Sequence, residues 1–326
     1  VNYTGRQGAL TTGSHYRLSE QVGLFGETRW TNGAGPQSLT HAFGVDLAPS
    51  EQWTTGVKME VGTLSDPLAG DLKRRAIGLS AGYSHERIKF TTALEFRDDR
   101  TETAGTAGSA NNTRKSWLTR NSVGYQVDPA WRLLGKLNLA RSTSSQGAFY
   151  DGDFTEAVLG AAYRPVDNDR WNALFKYTYF YNLPSPGQID SAFGSPLDYT
   201  QKSHVFNIDV IYDVRPWVSI GVKYGVRLGD LRPSKTSGDW FSSRADLVVL
   251  RADFHWVREW DAVVEARRLN AREAGDARSG FLAGLYRHVG KHAKIGVGYN
   301  FTDFSDDLTD LSYRSRGWFL NALGTF

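Results

Sequence analysis

Apolar and polar positions alternate with a period of two along most of the chain. In 22–30, Val22, Leu24, Thr28 and Trp30 share one face, and Glu27 and Arg29 take the other. The segment 53–63 sets Trp53, Val57, Met59 and Val61 against Thr54, Gly56, Lys58 and Glu60, and 131–141 sets Trp131, Leu133, Leu137 and Leu139 against Arg132, Lys136 and Asn138. Near the end, Ile295, Val297, Tyr299 and Phe301 oppose Lys294, Gly296, Gly298 and Asn300. Side chains two apart share a sheet face, so each segment predicts a strand with one apolar and one polar side. No stretch repeats apolar residues at three and four over several turns, and none holds about eighteen apolar residues in a row, which excludes a transmembrane helix.

The connections predicted between the strands alternate in length. Short turns are expected at 19–21, 49–52, 86–87, 128–130, 167–170, 215–216, 258–259 and 290–292. Long polar loops are expected at 31–37, 65–74, 99–112, 142–153, 182–201, 229–242, 270–278 and 305–314. This asymmetry predicts an all-β fold, a transmembrane antiparallel up-and-down β-barrel with short periplasmic turns and long extracellular loops; sandwiches and propellers do not keep it so regularly.

Composition agrees. Of 326 residues, 13% are aromatic and 34 are Gly, while there is no Cys, so disulfides, thiolate metal sites and cysteine nucleophiles are excluded. A net charge of +3 without a long like-charge block argues against nucleic acid as a partner. Small residues such as Gly78, Ser80, Gly82 and Ser84 oppose Ile77, Leu79, Ala81 and Tyr83, which suits a concave, wetted interior with the apolar face in lipid. Trp53, Trp131, Trp171, Trp217 and Trp260 recur just after the short turns and predict an aromatic girdle at one membrane–water interface.

The last residues run Trp318, Phe319, Leu320, Asn321, Ala322, Leu323, Gly324, Thr325, Phe326. This ending resembles the final strand of Gram-negative outer-membrane β-barrels, whose terminal aromatic is read by the barrel-assembly machinery, with Trp318, Leu320 and Phe326 as the matching positions. Gly324 departs from the bulky residue usual two places before the end. The stretch 299–319, with 147–154 and 256–266, resembles the C-terminal barrel of very large, repeat-containing proteobacterial surface proteins. The resemblance implies location in the bacterial outer membrane, contact with its lipid, passage through the assembly machinery and an N-terminal passenger or other surface polypeptide as a partner. It carries no catalytic residue and implies no cofactor.

Two strands per short turn plus a final strand at 315–326 give about seventeen. Single-chain bacterial barrels are even. Val1–Thr4 followed by loop-like 5–8 reads as the end of one more strand, so residues 1–326 are expected to form one barrel domain of about 18 strands that lacks an upstream N-terminal segment. Sixteen is the alternative count, and an odd barrel with one parallel pair is a third. The parity of each strand puts Arg17, Arg29, Lys58, Lys89, Arg97, Arg120, Arg132, Lys136, Lys176, Lys223, Arg227, Arg251, Arg267 and Lys294 on the lumen side. Glu27, Asp46, Glu60, Glu95, Glu156, Asp209, Asp213, Asp253 and Glu265 join them there. Bases outnumber acids, so an open pore would weakly favour anions. Pairs two apart, such as Lys58/Glu60, Glu95/Arg97, Arg251/Asp253 and Glu265/Arg267, equally describe a hydrated wall of mixed charge.

Chemistry beyond the wall is sparse. The seven histidines show no metal-protease spacing; His41 and His204 are placed near the outer rim, and no enzyme activity is expected. Asp303, Asp306, Asp307 and Asp310 offer oxygen ligands for calcium, though without the EF-hand spacing, and an exposed acidic loop is the alternative. The loop 182–201, with Pro184, Pro186, Phe193 and Pro196, is the first candidate for an inward-folded plug. Two functions follow: a barrel that anchors or displays a larger exported protein, or a porin-like channel for small hydrophilic solutes.

Overall fold

The computed structural model describes residues 7–33, 37–66, 70–101, 112–145, 151–182, 200–234, 237–257, 259–290, 293–302, 304, 308 and 316–324. Seventeen strands form one antiparallel sheet. They are β1 (Gln7–Arg17), β2 (Val22–Gly33), β3 (Gln37–Leu47), β4 (Trp53–Asp66), β5 (Gly70–His85), β6 (Ile88–Thr101), β7 (Asn112–Gln126) and β8 (Trp131–Ser144). The remainder are β9 (Phe154–Tyr163), β10 (Trp171–Tyr181), β11 (Thr200–Arg215), β12 (Val218–Arg232), β13 (Phe241–Val257), β14 (Trp260–Ala271), β15 (Asp276–Val289), β16 (Ala293–Asn300) and β17 (Gly317–Gly324). Each strand pairs with its neighbours in sequence, the meander expected of an up-and-down barrel.

The alternation sorts the faces. On β5, Arg74, Ala76 and Gly78 are buried while Lys73, Arg75, Ile77 and Leu79 are exposed. The registers carry this split from strand to strand, so that Val57 meets Leu79, and Lys58 meets Gly78 on the other side. The convex face therefore presents Leu, Ile, Val and aromatics, as hydrocarbon requires, and the concave face holds the polar residues.

The short turns end the strands by local bonds. Asp128 accepts the backbone N–H of Ala130 and of Trp131, both at 2.8 Å, and Ser50 Oγ accepts those of Gln52 and Trp53 at 3.3 Å. Such side-chain acceptors fix a tight turn and deliver a Trp to the first position of the next strand. There Trp53, Trp131 and Trp171 pack at a tilt against Tyr83, Tyr163 and Tyr212 of the neighbouring strand, ring centroids 4.8, 4.6 and 4.5 Å apart. Trp260 lies under the Arg287 guanidinium, and Trp217 occupies the turn itself.

Several predicted boundaries move. The loop expected at 65–74 shrinks, because β4 reaches Asp66 and β5 starts at Gly70; that at 270–278 reduces to four residues between Ala271 and Asp276. Gln7 and Gly8, read as loop, belong to β1. The cause is common to all: strand walls rise past the apolar band, where both faces turn polar without ending the ladder. In place of about eighteen strands there are seventeen described. β1 and β17 both run from the loop end to the turn end, and among the described residues no Cα of one lies within 8 Å of the other.

Candidate functional site

By register the residues predicted for the lumen share one face of the sheet, with Glu27 opposite Ala42, Lys58 opposite Gly78 and Arg120 opposite Asn138. On β4–β7 these residues form one ionic mesh: Lys58 Nζ lies 3.3 Å from both Glu60 and Glu95, and Glu95 is bonded to Arg97. The register places Arg120 beside this mesh, opposite Ala93 on β6 and Asn138 on β8. On β8 and β9, Lys136 and Asn138 both donate to Glu156, at 3.0 and 2.9 Å. The far wall repeats the motif: Arg251 binds Asp253 at 2.8 and 2.7 Å, and Arg267 binds Glu265. Arg29 reaches Glu27 at 3.5 Å. Lys176 stands opposite Asn207, and Lys223 opposite Asp209. Arg227 donates to Ser203 at 3.0 Å and Gln201 at 3.2 Å, its guanidinium 5.2 Å from the Phe180 ring.

Two clusters escape the sequence reading. Arg74 grips Asp99 with two 2.7 Å bonds and Arg114 adds a third at 3.3 Å, with the Arg74 and Asp99 side chains only 3% and 1% exposed. Arg74 and Asp99 themselves read as loop in the sequence and Arg114 lies just past one, and only the cross-strand register Arg74–Asp99–Arg114 makes them neighbours. At the turn end, Asp261 is bonded to His255 at 2.9 Å, to His288 at 2.8 Å and to Lys294.

Two hollows open on the turn-end half of the concave face. One of about 960 Å³ is lined by His15, Arg17, Asp46, Thr54, Arg120, Lys136 and Asn138 among others. A smaller one of about 280 Å³ carries Lys89, Arg132 and Lys136.

The loop-end half of the opposite wall is filled. After β16 the chain turns inward: Phe301 N–H bonds Phe281 O at 2.8 Å, and Thr302 N–H bonds Asn300 Oδ1 at 2.9 Å. Phe304 and Leu308, 3% and 1% exposed, then pack on Phe180, Val205, Leu247 and Val249 of β10, β11 and β13. Glycines make the room. A Cβ on Gly280 would fall 2.6 Å from Thr302 Cγ2, and one on Gly225 would fall 3.1 Å from Leu308 Cδ1. Gly280→Val is therefore expected to push this loop off the wall, read as faster protease cleavage between β16 and β17 in an otherwise folded barrel.

Of the β16–β17 connection, Phe304 and Leu308 are thus the described residues packed on the inward wall. The predicted plug at 182–201 is described only at Asn182, Thr200 and Gln201, and the rest of it lies outside the described residues, as do Asp303, Asp306, Asp307, Asp310 and Phe326. Trp318 and Leu320 project outward, Trp318 edge-on to Tyr299 at 5.2 Å. His41 and His204, placed near the outer rim, face outward and are bonded to Thr28 at 2.9 Å and to Tyr177 at 2.8 Å. An imidazole placed in the outward row with Leu39 and Phe43 has no access to a solute in the barrel.

No known protein family and no curated protein matches the sequence. Among solved structures the chain is similar to the copper transporter OprC (TM-score 0.55, 10% identity, 91% of this chain and 58% of that one). It is also similar to the alcaligin outer-membrane receptor FauA from Bordetella pertussis (0.54, 10%, 91% and 60%) and the ferric citrate transporter FecA (0.55, 10%, 98% and 62%). The fold is that of outer-membrane β-barrels, and the chain spans about 60% of the length of these structures.

Proposed function

We propose that this barrel sits in the bacterial outer membrane with its loops outside and passes small hydrophilic solutes through a charged lumen narrowed by the β16–β17 loop. The observation that carries the proposal is the pairing of an ionic wall and its 960 Å³ hollow with Phe304 and Leu308 packed on the inward face of β10, β11 and β13. A barrel of this strand number is too wide for its own side chains to fill, so the inward loop sets the bore. The likeness to barrels named as transporters supports the reading at the level of fold.

A second reading has its own observation. β1 and β17 run in the same direction, so an ascending strand from an upstream segment would pair antiparallel with both and close the barrel. In lipid an open sheet edge leaves backbone groups unsatisfied at several kcal/mol each. On this reading the barrel anchors or displays a passenger carried on that segment, after folding by the assembly machinery.

Planar-bilayer recording of the purified chain separates the two. The channel reading expects occasional openings and a reversal potential on the anion side in a salt gradient. Lys89→Glu with Arg132→Glu, both exposed in the smaller hollow, is expected to move that potential toward cations. Silence from correctly folded barrel, persisting after the inward loop is loosened, would leave the anchor.

A further inference from the structure

A wall that lines water is expected to present polar side chains, yet the inward face of β8–β10 presents leucines. Leu134 and Leu174, 40% and 37% exposed, share that face with Lys136 and Lys176. One row of the register runs Lys89–Gly124–Leu134–Gly160 across β6–β9. The next row toward the turns runs Arg132–Ala162–Leu174 across β8–β10. Gly160 and Ala162, which lie between the two leucines, are too small to cover them.

Two cations border this apolar strip. Arg132 reaches across to β7: a Cβ on Gly124 would fall 3.2 Å from its Nη2 and 3.6 Å from its Nε, so the guanidinium lies over that glycine. Gly124 in turn stands opposite Lys89, one strand spacing of about 5 Å away. Neither Lys89 nor Arg132 makes an ion pair among the described residues, whereas Lys136 beside them is neutralised by Glu156 at 2.9 Å. Like charges on neighbouring strands repel, and an anion between them removes the repulsion.

The two features meet in the smaller hollow, of about 280 Å³, whose wall includes Lys89, Arg132, Leu134 and Val158. At about 30 Å³ for each liquid water it takes about nine of them, close to the heavy-atom count of a carboxylate with one ring. Guanidinium and ammonium groups hold a carboxylate by charge-assisted hydrogen bonds, and Leu134 with Val158 takes an apolar body out of water. A bare inorganic anion would leave the leucine wetted, and a neutral solute would leave the two cations facing each other.

We infer that this hollow is a binding site for a small monocarboxylate with an aromatic or branched aliphatic body, its carboxylate held by Lys89 and Arg132 and its body by Leu134 and Val158. That such an acid passes through the barrel rests on the channel reading proposed above.

The test is saturation-transfer NMR of benzoate on the full chain folded in neutral detergent, corrected against empty micelles, so that no current is needed. Saturable binding is expected, with acetate, benzamide and inorganic phosphate each displacing benzoate at least about ten-fold less effectively than unlabelled benzoate does. Lys89→Gln with Arg132→Gln should weaken benzoate at least about ten-fold, and Leu134→Asn should weaken benzoate while leaving displacement by acetate unchanged. Arg268→Gln, exposed on the far wall, should bind as the parent does. All variants are matched for folded barrel by heat-modifiable mobility. No saturable binding to the parent, undiminished binding by the double Gln variant, or acetate or phosphate as effective as benzoate overturns the site. Bilayer currents judge passage separately: saturable binding by a silent barrel supports the site and overturns transit, whereas current without binding supports the channel and overturns the site.

Discussion

Replacing Phe304 and Leu308 together with serine is expected to turn occasional openings into near-continuous conductance. The two side chains are almost wholly buried, against Phe180, Val205, Leu247 and Val249 on the lumen side of three strands. Burying a large apolar side chain contributes about 1.5–3 kcal/mol, so the pair holds the loop inward by about 3–6 kcal/mol. Even the lower figure corresponds to a closed-to-open ratio of about a hundred, which serine at both sites removes. Opening is helped from beneath, because Thr178 Oγ1 and Asn207 Oδ1 are buried with no hydrogen-bond partner among the described residues and would gain water. Single-channel recordings of parent and variant, matched for folded barrel by heat-modifiable mobility, give the answer. Identical traces would show that the loop does not set the bore.

The second large effect concerns stability. Asp99→Ala is expected to lower the unfolding free energy by about 3–5 kcal/mol, the usual loss when one partner of a buried ion pair is removed. Its carboxylate takes two bonds from Arg74 and one from Arg114, and deletion leaves a buried guanidinium without its counter-charge. Asp99→Val with Arg74→Met, which removes both charges at a similar total volume, is expected to recover most of the loss. Urea-unfolding midpoints in detergent decide it; a midpoint for Asp99→Ala equal to the parent's would mean the pair is hydrated and adds little.

Both predictions rest on features of different visibility. The strands themselves were plain in the sequence, because a membrane barrel writes its two solvents onto alternate residues and the turns break the pattern. Lys58 and Glu60, and likewise Glu95 and Arg97, could be assigned to the polar face of their strands on that basis alone, since parity within a strand needs no knowledge of its partner. Arg74, Asp99 and Arg114 could not. They lie above the apolar band, where both faces are polar and the alternation in hydrophobicity fades, and only pairing reveals that Arg74 and Asp99 share a row. Histidines at 41 and 204 were legible as strand residues near the outer rim, a depth that does not say which way a side chain points.

The sequence by itself determined the fold class, the inward and outward sides of nearly every strand, and the tryptophans that follow the turns, because these depend on period and local bonding. Tertiary structure alone decided which strands meet and in what register, and so which charges neutralise each other. It also decided that Phe304 and Leu308 face the barrel: they sit in an acidic stretch that reads as exposed, and their burial exists only because strands about 55 to 130 residues away in sequence line the pocket that receives them.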